Sequence, residues 1–260
     1  MKFILAATVT CLGCTTLGPM PATTGISAVP AARPGGEIQG AIIPAFYLSD
    51  SASSPDNNHN APQLAALFEP DKLFHAPGLV LGARTWGNSH DSLAEPFIGY
   101  RQRFDPKLAG AFVAYGTKSN AGKNGASYRA SRLGGELMVD ATMFDITSWL
   151  AVHGQVAAQL TAISAQGTYC VDDVGVGKDC SDTEPNRTVN GDLVGLYPAA
   201  TGTLAVDFAR RATGVFHGAR LALLVAAGRM PKLVEGRQKL GDEYASLGLT
   251  LTLGFGSDTP

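Results

Sequence analysis

The sequence predicts an all-β protein, an antiparallel up-and-down β-barrel of ten strands, on three observations. Segments of about ten residues alternate between apolar and polar positions, with turn signals between them. Charged residues are only 16% of the 260 positions, below the usual quarter or so, and 31 positions are glycine. No run of ~18 apolar residues occurs, which excludes a spanning helix and leaves a closed barrel as the way to pair every backbone group in a bilayer. The net charge of −2 gives no basic footprint for nucleic acid.

The N-terminus reads as an export signal. Lys2 supplies a positive start, and Phe3 to Leu12 is apolar or small throughout. The small-x-small site at Val29-Pro30-Ala31 lies too far past this run to serve an ordinary signal peptidase. Cys11-Leu12-Gly13-Cys14 resembles the lipobox of bacterial lipoproteins, a resemblance that implies lipidation of Cys14 as the first mature residue. The expected divisions are a signal peptide at 1–13, a Thr/Pro/Ala/Gly-rich tether at 14–36, the barrel at 37–256 and a tail at 257–260.

The strands are clearest at the C-terminal end. Ala245, Leu247, Leu249, Leu251, Leu253 and Phe255 share one face, and Tyr244, Ser246, Gly248, Thr250, Thr252 and Gly254 the other. Similar alternation runs through 216–225, from Trp149 to Ala162, and from Arg132 to Ala141. Shorter strands are expected at Leu79–Trp86, Ala94–Phe104 and Leu108–Thr117. In the remaining strand Asp192 puts the polar face on even numbers, while Thr203 and Asp207 put it on odd ones. A β-bulge at Tyr197-Pro198-Ala199 is expected to absorb that slip.

Loop lengths alternate. Asp105–Lys107, Asp145–Ser148 and Arg210–Gly214 are short, whereas Gly87–Ser92, Asn120–Gly125, Tyr169–Thr188 and Ala227–Glu243 are longer. Leu79 to Phe255 holds eight strands; Ile38–Leu48 and Gln63–Phe68 bring the count to ten, the alternative being eight plus an N-terminal appendage. With its alternation, its loop asymmetry and a final strand ending on Phe255, the chain resembles the small outer-membrane β-barrels of bacteria from about Glu37 to Phe255. The resemblance implies an outer-membrane address, contact with outer-membrane lipid and insertion by the barrel-assembly machinery. A monomer without cofactor is expected.

The polar face is unusually charged. Arg84, Arg101, Arg103, Arg132 and Arg220 share it with Glu95, Glu136, Asp140, Asp192 and Asp207, five cations against five anions. In a barrel of this size these would form a filled, charge-balanced lumen rather than a wide channel. In a soluble protein the same face would be the solvated exterior. Aromatics gather at strand ends, at Trp86, Phe104, Tyr128, Phe144, Trp149, Phe208, Phe216, Tyr244 and Phe255, where interfacial girdles would place them.

Cys170 and Cys180 lie in one polar stretch and are expected to form a disulfide that staples the Tyr169–Thr188 loop. No metal site is expected: the histidines are distant from that pair, and the acidic stretch Asp172, Asp173, Asp179, Asp182 and Glu184 lacks the spacing and turn glycine of a calcium loop. No catalytic set is assigned. His153 and His217 fall near the short-turn end, and His90, beside Ser89, Asp91 and Ser92, is the one outer-rim candidate. Three readings follow: a barrel of structural or surface-interaction type, a lipid-anchored soluble β-domain binding a lipid or small ligand, and an outer-membrane hydrolase with a rim site.

Overall fold

The structure is a computed structural model that describes residues 35–47, 59–70, 76–87, 92–123, 126–172, 175–176, 187–208, 216–234 and 237–256. Its strands are β1 (Gly35–Tyr47), β2 (His59–Phe68), β3 (Leu79–Gly87), β4 (Ser92–Asp105), β5 (Leu108–Lys123), β6 (Ala126–Thr147), β7 (Leu150–Asp172), the two-residue β8 (Gly175–Val176), β9 (Arg187–Phe208), β10 (Phe216–Val234) and β11 (Arg237–Gly256). Every pairing is antiparallel. β1 to β7 follow one another around the wall, β9, β10 and β11 continue it, and β8 is an appendix on β7. β1 pairs with β11 from Gly35↔Gly256 to Tyr47↔Tyr244, which closes a ten-strand barrel. The segment read as a possible appendage is therefore wall, flanked by β2 and β11.

Period-two alternation decides which face each side chain takes. On β11, Ser246, Thr250 and Thr252 are buried inside, while Leu247, Leu249 and Leu251 are about half exposed outside. On β6, Arg132, Glu136, Met138 and Asp140 point in; Leu133, Leu137 and Val139 point out. The barrel is thus polar within and apolar without, the reverse of a water-soluble β-domain, whose charges would occupy the outside. A satellite apolar core of Leu67, Val80, Phe97, Val113, Tyr115 and Met138 fills the β2–β6 side of the interior. The facing wall carries smaller side chains such as Ala199, Ala205, Ala222 and Ala226.

Two expectations about strand geometry are corrected. The bulge at Tyr197-Pro198-Ala199 is absent, since β7 and β9 pair without a shift from Leu150↔Phe208 to Val171↔Arg187. A bulge occurs instead at the start of β10, between Phe216 and Gly218, leaving His217 as the extra residue and Gly218 at φ 146. Two of the four longer loops are also largely strand: β5 and β6 pair up to Lys123↔Ala126, and β10 and β11 up to Val234↔Arg237.

Aromatic side chains ring the short-turn end. Phe104, Phe144, Trp149, Phe208 and Phe216 are exposed there, joined by Phe68 and Tyr100, and the Phe216 and Phe255 rings meet edge-on at 6.1 Å. Gly78, at φ 85, lets the chain turn tightly into β3; its carbonyl accepts the Arg101 amide at 2.7 Å, and a Cβ there would lie 2.2 Å from the Arg101 carbonyl oxygen.

Candidate functional site

The interior charges form three groups, each assembled because alternate residues of neighbouring strands must share the lumen. In the first, Arg84 on β3 and Glu95 on β4 are direct cross-strand partners, and Arg84 Nε donates to Glu95 Oε2 at 2.8 Å. Arg84 Nη1 also lies 3.7 Å from Glu136 Oε2 on β6, three strands away, and Arg132 Nε lies 3.3 Å from Glu95 Oε1. Tyr115 sits among them. The Arg84 guanidinium carbon stands 4.3 Å from its ring centre and that of Arg132 5.9 Å, while its hydroxyl meets Thr161 Oγ1 at 2.7 Å. Gly134, opposite Tyr115 on β6, makes room for that ring: a Cβ there would come within 2.4 Å of it.

The second group is at the short-turn end. Arg101 Nη2 donates to Glu37 Oε1 at 2.9 Å and Nε to Glu69 Oε1 at 2.8 Å, with Nη2 also against Glu69. This guanidinium therefore ties β4 to β1 and to the chain just beyond β2. In the third group Arg220 on β10 grips Asp207 on β9 through two bonds, Nε to Oδ1 at 2.6 Å and Nη2 to Oδ2 at 3.0 Å. Its Nη1 reaches Asp140 Oδ2 on β6 at 3.3 Å. His153 on β7 lies between the two carboxylates, with Nδ1 2.9 Å from Asp140 and Nε2 3.1 Å from Asp207.

Eight of the ten residues expected in the lumen are there: Arg84, Glu95, Arg101, Arg132, Glu136, Asp140, Asp207 and Arg220. Arg103 is not. It keeps the register of Arg101 but is exposed where β4 runs out at the short turn, so its head reaches water. With no bulge, Asp192 pairs with Gln166 and takes the register of outward-facing Val194 and Leu196. Glu37, Glu69 and His153 join instead. Among the described residues four arginines and His153 face six carboxylates, which replaces the expected five-to-five balance. Glu37 was visible as the next inward position before Gln39 and Ala41. Glu69 follows Gln63, Ala65 and Leu67 at every second residue, one step past the expected strand end.

Chemically this is a cross-linked plug. Both His153 nitrogens face carboxylates, so neither stands ready to take a proton from a hydroxyl nucleophile. No group of His, Cys, Asp and Glu suited to a metal occurs among the described residues. Ser89, His90, Asp91, Cys14 and Cys180 lie outside the described residues; Cys170 falls in β7, with its backbone opposite Thr188.

No protein-family model matches the chain, and no curated protein matches it. Among solved structures it is similar to Neisserial surface protein A, at 11% identity and a TM-score of 0.32 over 85% of this chain and 96% of that one. Ail, the attachment invasion locus protein of Yersinia pestis, gives 9% and 0.31 over 85% and 95%. The P. putida toluene transporter TodX gives 10% and 0.25 over 86% and 91%. All three are bacterial outer-membrane β-barrel proteins.

Proposed function

We propose that the chain spans a bacterial outer membrane as a plugged ten-strand barrel, monomeric and non-catalytic, serving as a structural or surface-interaction protein. The observation that carries this is the inverted polarity of a closed wall. Leu133, Val194 and Leu196 stand about two-thirds exposed outside, while Arg84, Arg101, Glu95 and Glu136 are almost wholly buried inside. A water-soluble monomer rarely exposes a contiguous apolar surface beyond a few hundred Å². A barrel in lipid requires one.

In this reading the short-turn end faces the periplasm and the outer ends of β5, β6, β7, β9, β10 and β11 project outward. Strands of 22 and 23 residues in β6 and β7 are about twice what a tilted crossing needs. The surplus stands clear of the bilayer as a paired β-surface, and Cys170 with Cys180 staples its β7–β9 arm. Assembly calls on the barrel-insertion machinery.

Heating before SDS gel electrophoresis tests the proposal. The unheated protein is expected to run compact and to shift on boiling, and to leave membranes only with detergent. A Cys14→Ser protein that is soluble and monodisperse without detergent would sink the reading in favour of the tethered soluble domain. His90→Ala is expected to change no lipase or protease assay. A specific hydrolysis lost in that variant would favour the rim-site hydrolase.

A further inference from the structure

The outer wall of β5, β6, β7 and β9 carries a recess of about 610 Å³ lined by Gly116, Lys118, Leu133, Ala162, Ser164 and Leu196, among others. Its empty space lies on the outer face: Leu133, Val194 and Leu196 are about two-thirds exposed, whereas Ile163 and Arg132, the inward residues between them, are almost fully buried. The register explains the shape. Gly116, Leu133, Ala162 and Leu196 are successive cross-strand partners, so two small residues alternate with two ridges of leucine. Leucines two strands apart stand ~10 Å from each other, wide enough for hydrocarbon to lie between them.

The next row up is Lys118, Ser131, Ser164 and Val194, where three of four strands turn polar. Arg129 follows one row higher on the same face, diagonal to Lys118, and both are exposed. The sequence from Pro106 to Gly135 contains no Asp or Glu, so this hairpin offers positive charge alone. Asp192 shares Arg129's row two strands further round, which puts the favourable seat for an anion on the β5–β6 side.

We infer that this recess and its basic rim bind a phosphorylated, acylated lipid of the outer leaflet. One acyl chain lies over Gly116 and Ala162 between the leucine ridges, and a phosphate meets Lys118 and Arg129. The inference rests on the membrane-spanning reading above, which fixes the apolar surface as lipid-facing.

The test uses the full-length protein in nonionic detergent, with bound lipid counted by native mass spectrometry. The probes are lipid A, the same lipid with its phosphates removed, and inorganic phosphate. Wild type is expected to retain lipid A in preference to the dephosphorylated lipid, and inorganic phosphate is expected not to displace it. K118Q/R129Q is expected to weaken lipid A binding about 30-fold, from roughly fivefold per cation, with little effect on the dephosphorylated lipid. Ala162→Trp, which fills the recess, is expected to weaken both lipids. Equal lipid A retention by wild type and K118Q/R129Q overturns the site, as does displacement by inorganic phosphate. Heat modifiability is recorded for each protein. If it persists while lipid selectivity is absent, the site fails and the barrel stands; if wild type needs no detergent, the spanning reading itself has failed.

Discussion

Arg101 shows what the lumen charges do for the fold. Its guanidinium is the cation between Glu37 and Glu69, all three buried, so Arg101→Met would leave two carboxylates facing each other in a space from which water is largely excluded. Removing one partner of a buried ion pair costs ~3–5 kcal/mol, because the partner left behind keeps its desolvation penalty. A urea titration in micelles is expected to show that loss, and adding Glu37→Gln and Glu69→Gln to the same protein is expected to recover part of it. Gly134→Ala tests a steric requirement. The new methyl would collide with the Tyr115 ring, and displacing that ring would break its contact with Arg84 and its bond to Thr161. A loss of ~1–3 kcal/mol is expected in the same titration. At this scale the sequence was readable where a charge fell well within an alternating run, as Arg84, Glu95 and Glu136 do, and not at a run's end, where Arg103 is exposed. It hid Glu69 because nothing local says that the inward register persists past Phe68. The guanidinium of Arg101, reaching back from a strand two places along the wall, is what holds that carboxylate inside.

In the spanning reading each strand has a lipid-facing stretch and, in the longer ones, an outer stretch that obeys different rules. Leu249 stands mid-run on the outer face of β11, whereas Gln166 on β7 is exposed beyond the row where Lys118, Ser131 and Ser164 turn polar. Leu249→Arg is expected to cost ~2–4 kcal/mol in refolding into lipid vesicles, and Gln166→Arg ~0–1 kcal/mol. Equal costs at the two sites would show that the boundary is misplaced. The same boundary explains how β9 was misread. Asp192 and Asp207 fall on opposite parities, and a strand with one solvent throughout could reconcile them only by slipping a residue. In the spanning reading the solvent changes along the strand: Asp207 is inside, and Asp192 takes the outward register one row beyond Val194, past the row where Lys118, Ser131 and Ser164 turn polar. Alternation reveals faces, but not how far a strand continues once both faces are polar. That is why β5, β6 and β7 outrun their expected ends while their apolar portions matched.

Across the whole barrel, ion pairs join β3 to β6, β1 to β4 and β6 to β10, so the lumen is laced from wall to wall. Planar-bilayer recordings are expected to show no stepwise conductance from the wild-type protein. Sustained openings would mean that the plug is displaced in lipid. Parity narrowed the count to ten or eight, because antiparallel closure with both ends on one side demands an even number, and the pairing of β1 with both β2 and β11 makes it ten. The lumen's charge excess was not legible in that way, because it depends on which residues at strand ends the wall still covers.

The pairing of Gly35 with Gly256 has one more implication. Every other neighbouring pair in the wall is a hairpin or a near-hairpin in the chain, whereas this seam joins strands more than two hundred residues apart, and its closure is the single most expensive loop of assembly. Geometrically, though, the seam is a pairing like the rest, so the wall is a ring with no privileged first strand. A permuted barrel in which a short turn links Gly256 to Gly35 and the chain is opened between β5 and β6 keeps every ladder intact and moves the costly closure to a different joint. The order of synthesis sets how the ring is reached and leaves its final form unchanged.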